Sequence, residues 1–146
     1  MLKQSGDTIL LMEDEESEIL LAQQAVVKCP GNLHLVVVPD STEAMAWISE
    51  ASATNFSEPR LILLNLKLPK LLGLAALRTL RLDERTKNIP VVVYSANYDH
   101  DDVLLCYQIG ANSFVNMPGN LTEFTDMLIE LSDLEFCREC IFPPTT

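Results

Sequence analysis

The chain has 146 residues, 48% of them hydrophobic and 21% charged, which fits one globular domain with a single core. Twenty-one acidic residues against 10 basic ones give a formal net charge of −11. That balance argues against binding to nucleic acid or to an anionic membrane, because both need basic protein surface. No apolar run reaches the roughly 18 residues of a membrane span, and we identify no signal peptide.

Strand-like apolar runs alternate with helical patterns along the chain. In chain order, we predict a strand at 8–12, a helix at 16–28, a strand at 33–38, a helix from 41 to about 53, a strand at 61–64, a helix at 72–83, a strand at 90–94, a helix at 101–109, a strand at 113–115 and a helix from 121 to about 136. We therefore expect one domain over residues 1–136 and a C-terminal tail over 137–146.

Residues that start and stop helices support these boundaries. Asp40 with Glu43, and Asn120 with Glu123, have the spacing of capping boxes before the second and fifth helices. Gly110 stands where a C-cap would end the fourth helix. Short, continuously apolar strands that alternate with helices indicate a parallel sheet covered on both faces. The fold class is therefore α/β, a (βα)₅ doubly wound parallel five-stranded sheet in a flavodoxin-like α/β/α sandwich.

The four cysteines are Cys29, Cys106, Cys137 and Cys140. Their spacing is not that of a disulfide framework, so a reducing, cytoplasmic location is expected. The last two form a CxxC motif near the C-terminus. This motif could have a metal or redox role, or the two residues could be free thiols on a terminal helix. A zinc site would need two more ligands, and His34 and His100 lie in unrelated contexts.

Polar residues follow the predicted strands, at the edge where doubly wound folds bind ligands. Glu13 and Asp14 follow the first strand, and adjacent carboxylates repel one another unless a cation compensates. A divalent ion such as Mg²⁺ would explain the pair, and so would a solvated acidic turn favoured by the dipole of the next helix. Asn65 ends the third strand, Ser95 follows the fourth, and Met117 lies beyond the fifth.

Four segments in this order and spacing resemble the receiver domain of bacterial two-component response regulators. They are ILLMEDEE, LILLNLKLPKLLGLAAL, IPVVVYSA and GANSFVNMP, and the resemblance extends from about residue 7 to residue 135. It implies a CheY-like fold, and the chain also resembles stand-alone receivers, including those partnered with bacterial phytochromes. In such a receiver, an aspartate accepts a phosphoryl group from a histidine kinase.

The resemblance also implies roles for particular residues. Glu13 and Asp14 match the acidic pair that holds Mg²⁺, and the backbone carbonyl of Lys67 would be a further metal ligand. The remaining matches are Ser95 for the hydroxyl that bonds the phosphoryl oxygen, Phe114 for the aromatic switch residue and Pro118 for the proline that follows a cis peptide bond.

Two positions depart from the family pattern. Asn65 stands where the phosphoacceptor aspartate belongs, and Met117 stands where the lysine belongs. An amide is not a competent nucleophile, so no acyl phosphate can form, and methionine cannot neutralise phosphoryl charge. Loss of one carboxylate weakens a metal site, so we expect no cofactor or a weakly bound Mg²⁺. An acid and a base are lost together, which favours a natural degenerate receiver over an engineered inactivation.

The function expected from this pattern is that of a single-domain pseudo-receiver in two-component (phosphorelay) signal transduction, not an enzyme, that acts through protein–protein interaction without phosphorylation. The expected partner is a histidine kinase or other signalling protein, with no nucleic acid and no membrane. A homodimer through the fourth helix, fifth strand and fifth helix is a further expectation. That surface would include Val103, Leu104, Tyr107, Phe114, Phe124 and Leu128, although each residue taken singly is better explained as core.

Three alternatives stay open from the sequence. The chain could be a genuine phosphorelay receiver that uses another acceptor, for which Ser95 is the obvious hydroxyl, or one that carries an inactivating Asp-to-Asn change. Asn65 could instead bond Ser95 and lock one conformer, which would remove the switch. A small-ligand sensor is compatible with the fold, but the chain has no Gly-rich phosphate loop.

Overall fold

The computed structural model describes residues 8–53, 59–66 and 70–135. Five strands and five helices alternate through this part of the chain. The strands are β1 (Thr8–Met12), β2 (His34–Val38), β3 (Leu61–Asn65), β4 (Val91–Ser95) and β5 (Ser113–Asn116). The helices are α1 (Glu16–Lys28), α2 (Ser41–Ala53), α3 (Lys70–Leu82), α4 (His100–Ile109) and α5 (Leu121–Glu135).

The strands form one parallel sheet in the order β2-β1-β3-β4-β5. The predicted doubly wound α/β fold is therefore confirmed. Strand order reverses between β1 and β3, and such a switch point opens a crevice at the C-terminal ends of the strands. The predicted boundaries differ from the observed ones by one or two residues, and the largest difference is at the start of α3, which begins at Lys70.

Both faces of the sheet are buried, which is why the strand sequences are continuously apolar. Every residue of β3 and β4 is buried. One face, with Leu10, Ile62 and Val93, packs against α2, α3 and α4. The opposite face, which includes Leu11 and Tyr94, packs against α1 and α5, and we call this second layer the α1/α5 core.

The helix ends confirm part of the capping pattern. The Asp40 and Asn120 side chains each accept a hydrogen bond from a backbone N–H three residues on, at 2.9 Å. Glu123 accepts from the backbone N–H of Gly119 rather than from that of Asn120, so the reciprocal bond of the predicted box is shifted by one residue. The α4 helix has a complete capping box between Asp99 and Asp102, which the sequence analysis did not identify.

One arginine joins several elements at the opposite edge of the sheet, where the strands begin. Arg81, on α3, donates from Nε to the carbonyl of Gly110 at 2.7 Å and from Nη1 to the carbonyl of Ile89 at 2.9 Å. Its Nη2 donates to Oδ1 of Asn112 at 2.6 Å, and the same oxygen accepts from the backbone N–H of Val91 at 2.8 Å. These bonds hold the α4–β5 corner against the start of β4.

The α5 helix ends at Glu135, close to the predicted end of the domain at 136. The predicted tail over 137–146, with Cys137 and Cys140, lies outside the described residues, as does Lys67. Within the described ranges, none of the helices has the length and apolar character needed to span a membrane.

Candidate functional site

The register of the sheet brings the predicted site residues to one edge. Met12 pairs with Leu64, so Glu13, the next residue, lies beside Asn65. Asn65 pairs with Tyr94, and Ser95 pairs with Asn116. Because the strands are parallel, the residues that end them are neighbours in space although they are far apart in sequence. Glu13, Asn65 and Ser95 are therefore buried neighbours at the C-terminal edge of the sheet, together with Tyr94.

Glu13 lies at the centre of this edge and is only 1% exposed. Its carboxylate accepts hydrogen bonds from Asn65 Nδ2, at 2.9 Å to Oε1 and 2.8 Å to Oε2. The backbone N–H of Glu15 donates to Oε2 at 3.2 Å, and the Tyr94 hydroxyl donates to Oε1. Within the described part of the chain, the partners of this buried carboxylate are thus neutral donors. Such donors satisfy a buried charge that would otherwise be costly.

Asn65 is as deeply buried as Glu13, at 1% exposed. It is the amide nitrogen that faces the carboxylate, because an amide oxygen there would be repelled by the two carboxylate oxygens. The side chain is therefore a hydrogen-bond donor at the position where the resemblance places a nucleophile. Its nitrogen lone pair is delocalised, so it has no acyl-phosphate chemistry.

Tyr94 is a site residue that the sequence analysis placed on a strand but did not recognise. Its side chain is 0% exposed, and its ring meets Phe124 edge-on in the α1/α5 core, with the ring centroids 6.4 Å apart. Burial raises the pKa of the Tyr94 hydroxyl far above its usual value, with further contributions from the charge and hydrogen bond of Glu13 and from the charge of Glu18. The hydroxyl is therefore a permanent donor to Glu13. A tyrosine in an apolar strand, one residue before the strand end, is the only signal the sequence offers.

Ser95 is buried, and its hydroxyl bonds the backbone of the following loop. Its Oγ donates to the backbone carbonyl of Asn97 at 3.1 Å, inside the loop that leads to α4. Asn65 has Glu13 as a hydrogen-bond acceptor, so the network seen here is centred on Glu13 and not on an Asn65–Ser95 bond. The Ser95 hydroxyl therefore stabilises the loop.

Phe114 is buried against the α2–α3–α4 face of the sheet. Its ring meets that of Tyr98 edge-on with centroids 4.7 Å apart, and the Tyr98 hydroxyl donates to Oδ1 of Asn116. The backbone N–H of Phe114 donates to the Tyr107 hydroxyl at 3.1 Å. Phe114, which the resemblance predicts as the aromatic switch residue, is thus buried and in edge contact with Tyr98.

Met117 is half-buried and packs against the α1/α5 core, so its side chain adds apolar contact where the resemblance places a cation. The prediction that a cis peptide bond precedes Pro118 is wrong, because the described residues contain no cis peptide bond. The trans form is intrinsically favoured for an X–Pro bond by about 0.5–1 kcal/mol. Here the Met117 N–H also donates to the Ser95 carbonyl at 3.0 Å, which continues the β4–β5 ladder up to the proline.

The donor set at this edge does not fit Mg²⁺, which needs several oxygen ligands in near-octahedral geometry. Among the residues that the structure describes, no three His, Cys, Asp or Glu side chains come together as a metal-binding group. The Glu13 oxygens are occupied by hydrogen-bond donors, and Asn65 directs its amide nitrogen to the same place. Asp14 is exposed and lies outside this network.

The predicted interaction surface on α4, β5 and α5 is mostly core. Val103, Phe114, Phe124 and Leu128 are all buried. Tyr107 is half-buried, and Leu104, 41% exposed, is the member of this set most accessible to a partner.

Comparisons with known proteins agree with this architecture. The family model for the response regulator receiver domain matches residues 9–129. The chain is similar to response regulator Rcp1 of Synechocystis sp., with 31% identity over 121 residues and 82% of each protein covered. It superposes on the phosphorylated cyanobacterial phytochrome response regulator RcpA with a TM-score of 0.76 and 30% identity, covering 95% of this chain and 100% of that one. For the Mn²⁺-bound form of Rcp1 the TM-score is 0.72 and the identity 28%, covering 94% and 99%.

Proposed function

The chain belongs to the response regulator receiver family of two-component signalling, and from this premise we propose that it is a pseudo-receiver, which signals through protein contacts without accepting a phosphoryl group. The observation that carries the proposal is Asn65, buried at the phosphoacceptor position with its amide nitrogen donating to both oxygens of Glu13. An amide donor in that place cannot attack phosphorus. If it moved away, Glu13 would lose two of its hydrogen bonds.

The rest of the edge supports the same conclusion. Met117 packs on the α1/α5 core and supplies no cation to a transferring phosphoryl group. The Ser95 hydroxyl is buried and donates to a backbone carbonyl, and its described hydrogen-bond partners include no base that could activate it. The alternative of a relay that uses Ser95 as acceptor therefore lacks an activated nucleophile. The relatives Rcp1 and RcpA have been solved with Mn²⁺ and in a phosphorylated state respectively, whereas Glu13 in this chain is bonded by neutral donors among the described residues.

Receiver domains interact with histidine kinases or other signalling proteins, and we propose such a partner here. The similarity to a phytochrome response regulator favours a kinase of the phytochrome type, which would place the protein in the cytoplasm. With a net charge of −11, a direct role in binding DNA is disfavoured. The partner surface would centre on the exposed side of α4 and on the loop before it, where Leu104 and Tyr98 respectively are accessible. Light scattering tests whether the same surface also pairs two copies of the chain.

The first test is intact-mass measurement after incubation with acetyl phosphate and Mg²⁺, with the relative RcpA as a positive control for the donor. We expect no phosphoryl adduct on this chain while the control is modified. A stable adduct would contradict the proposal. If the adduct disappears in Ser95→Ala, the chain is a relay member with a different acceptor.

The second test identifies the partner by affinity capture from the source cell, with mass spectrometry of the bound proteins. We expect a histidine kinase or its phosphotransfer domain, whose binding to this chain persists when its phosphorylatable histidine is replaced. Capture only of proteins unrelated to two-component signalling would contradict the proposed partner class.

A further inference from the structure

The Glu13 carboxylate has little remaining capacity to bind a metal ion. A carboxylate offers about four lone-pair sites. Among the residues that the structure describes, four hydrogen bonds meet them, two from Asn65 and one each from Glu15 and Tyr94. A cation that approached Glu13 would have to displace donors that are already in place.

Two of these four bonds depend on Asn65, but the bond from Tyr94 does not. The Tyr94 ring is fixed in the α1/α5 core between the sheet and Phe124, and the side chain has no exposed surface. Its hydroxyl donates to Glu13, which is 81 residues away in sequence. A buried hydroxyl that lost this acceptor would be left unsatisfied, so the bond opposes any movement of the carboxylate towards solvent.

We propose that Tyr94 is a positioning residue that holds the Glu13 carboxylate in the interior and keeps the site closed to divalent metal, independently of the changes at Asn65 and Met117. This inference rests on the proposed function, which it deepens: the site was lost at three positions, the third of them in the core. Restoring the family residues at 65 and 117 alone therefore leaves a site that binds Mg²⁺ poorly.

The test compares Mg²⁺ binding by calorimetry in three variants. The first is Asn65→Asp/Met117→Lys, and the second adds Tyr94→Phe. The third adds Tyr98→Phe in place of Tyr94→Phe. Tyr98 is the matched control because it lies at the same edge and its hydroxyl bonds Asn116, not Glu13. We expect the Tyr94→Phe combination to bind Mg²⁺ at least about tenfold more tightly than the other two, the factor expected for one hydrogen bond to a charged group.

Equal affinity in all three variants, or the same gain from Tyr98→Phe, would overturn the proposal. Circular dichroism establishes that each variant is folded before titration. Should the Tyr94→Phe combination not fold, proton NMR of the natural chain decides instead. A slowly exchanging downfield hydroxyl proton that survives Tyr98→Phe supports the Tyr94–Glu13 bond, and its absence contradicts it. Phosphorylation of the natural chain would contradict only the proposed function, so the two failures are distinguishable.

Discussion

Replacing Asn65 by aspartate in the natural chain should destabilise the fold strongly, although the two side chains have the same shape. In the natural chain the amide nitrogen lies 2.8–2.9 Å from the two carboxylate oxygens of Glu13, and both side chains are buried. Asn65→Asp puts a second carboxylate oxygen in the place of that nitrogen. Two attractive bonds become a contact between like charges, with only neutral donors among the described partners of Glu13 to offset it.

The size of the loss has a natural upper limit. Two unit charges about 4 Å apart repel by roughly 4 kcal/mol at an effective dielectric constant of about 20. The protein can avoid this repulsion by keeping the introduced carboxyl protonated, which at pH 7 costs about 4 kcal/mol for a group with an unfolded pKa near 3.9. We therefore expect the free energy of unfolding to fall by about 3–4 kcal/mol at pH 7.

The same reasoning predicts a pH dependence. The introduced carboxyl has a folded pKa above its unfolded value, so the folded state binds more protons than the unfolded state in the interval between them. Stability relative to the natural chain is therefore regained as pH falls, by about 1.4 kcal/mol per pH unit between pH 7 and about pH 5. A protonated carboxyl can also donate to Glu13, which restores one of the lost bonds.

Urea unfolding at pH 7 and pH 5, followed by circular dichroism, measures both quantities. The matched control is Asn116→Asp, the same chemical change at an exposed strand end, where a carboxylate still accepts from Tyr98. We expect the control to change stability by less than about 0.5 kcal/mol. A loss for Asn65→Asp as small as that of the control, or one that does not shrink at pH 5, would refute the argument that Asn65 neutralises a buried carboxylate.

Three further predictions follow from the described contacts. The pKa of Tyr94 is higher in the folded chain than in the unfolded chain, so the folded state holds this proton above about pH 10 while the unfolded state loses it. The free energy of unfolding of the natural chain should therefore fall relative to that of Tyr94→Phe by about 1.4 kcal/mol per pH unit. Urea unfolding at alkaline pH measures this difference. Arg81→Ala should lower the free energy of unfolding, measured in urea at neutral pH, by about 2–4 kcal/mol, because it leaves several carbonyls without their donor. Its control is Arg78→Ala, on the exposed side of the same helix, which should change this free energy by less than about 0.5 kcal/mol. Gly110→Ala should lower the melting temperature more than Gly31→Ala. Both glycines have positive φ, 133° and 86°, but only at Gly110 would an added Cβ lie 2.8 Å from Arg81 Cγ. Equal effects of Arg81→Ala and Arg78→Ala, or of Gly110→Ala and Gly31→Ala, would contradict the contacts described for Arg81 and Gly110. No difference between the natural chain and Tyr94→Phe at alkaline pH would contradict the burial of the Tyr94 hydroxyl.

Several features of this protein were readable from its sequence because they depend on neighbouring residues. Apolar runs of strand length gave the alternation of elements, and the cap residues Asp40 and Asn120 were identified from local spacing. In a parallel sheet, strand ends share an edge, so Glu13, Asn65 and Ser95 could be assigned to one site before their contacts were known. The absence of a nucleophile at Asn65 is likewise a property of one residue type at one position.

Only the tertiary structure decided which partners these side chains have. Asn65 is 52 residues from Glu13, and Tyr94 is 81 residues from it, so their bonds depend on the register of three strands and on the height of the ring in the core. The sequence did not indicate that Ser95 turns to the carbonyl of Asn97, or that the bond before Pro118 is trans. The physical reason is that a buried polar group must find a partner in three dimensions, and neither periodicity nor spacing along the chain specifies which donor is within reach.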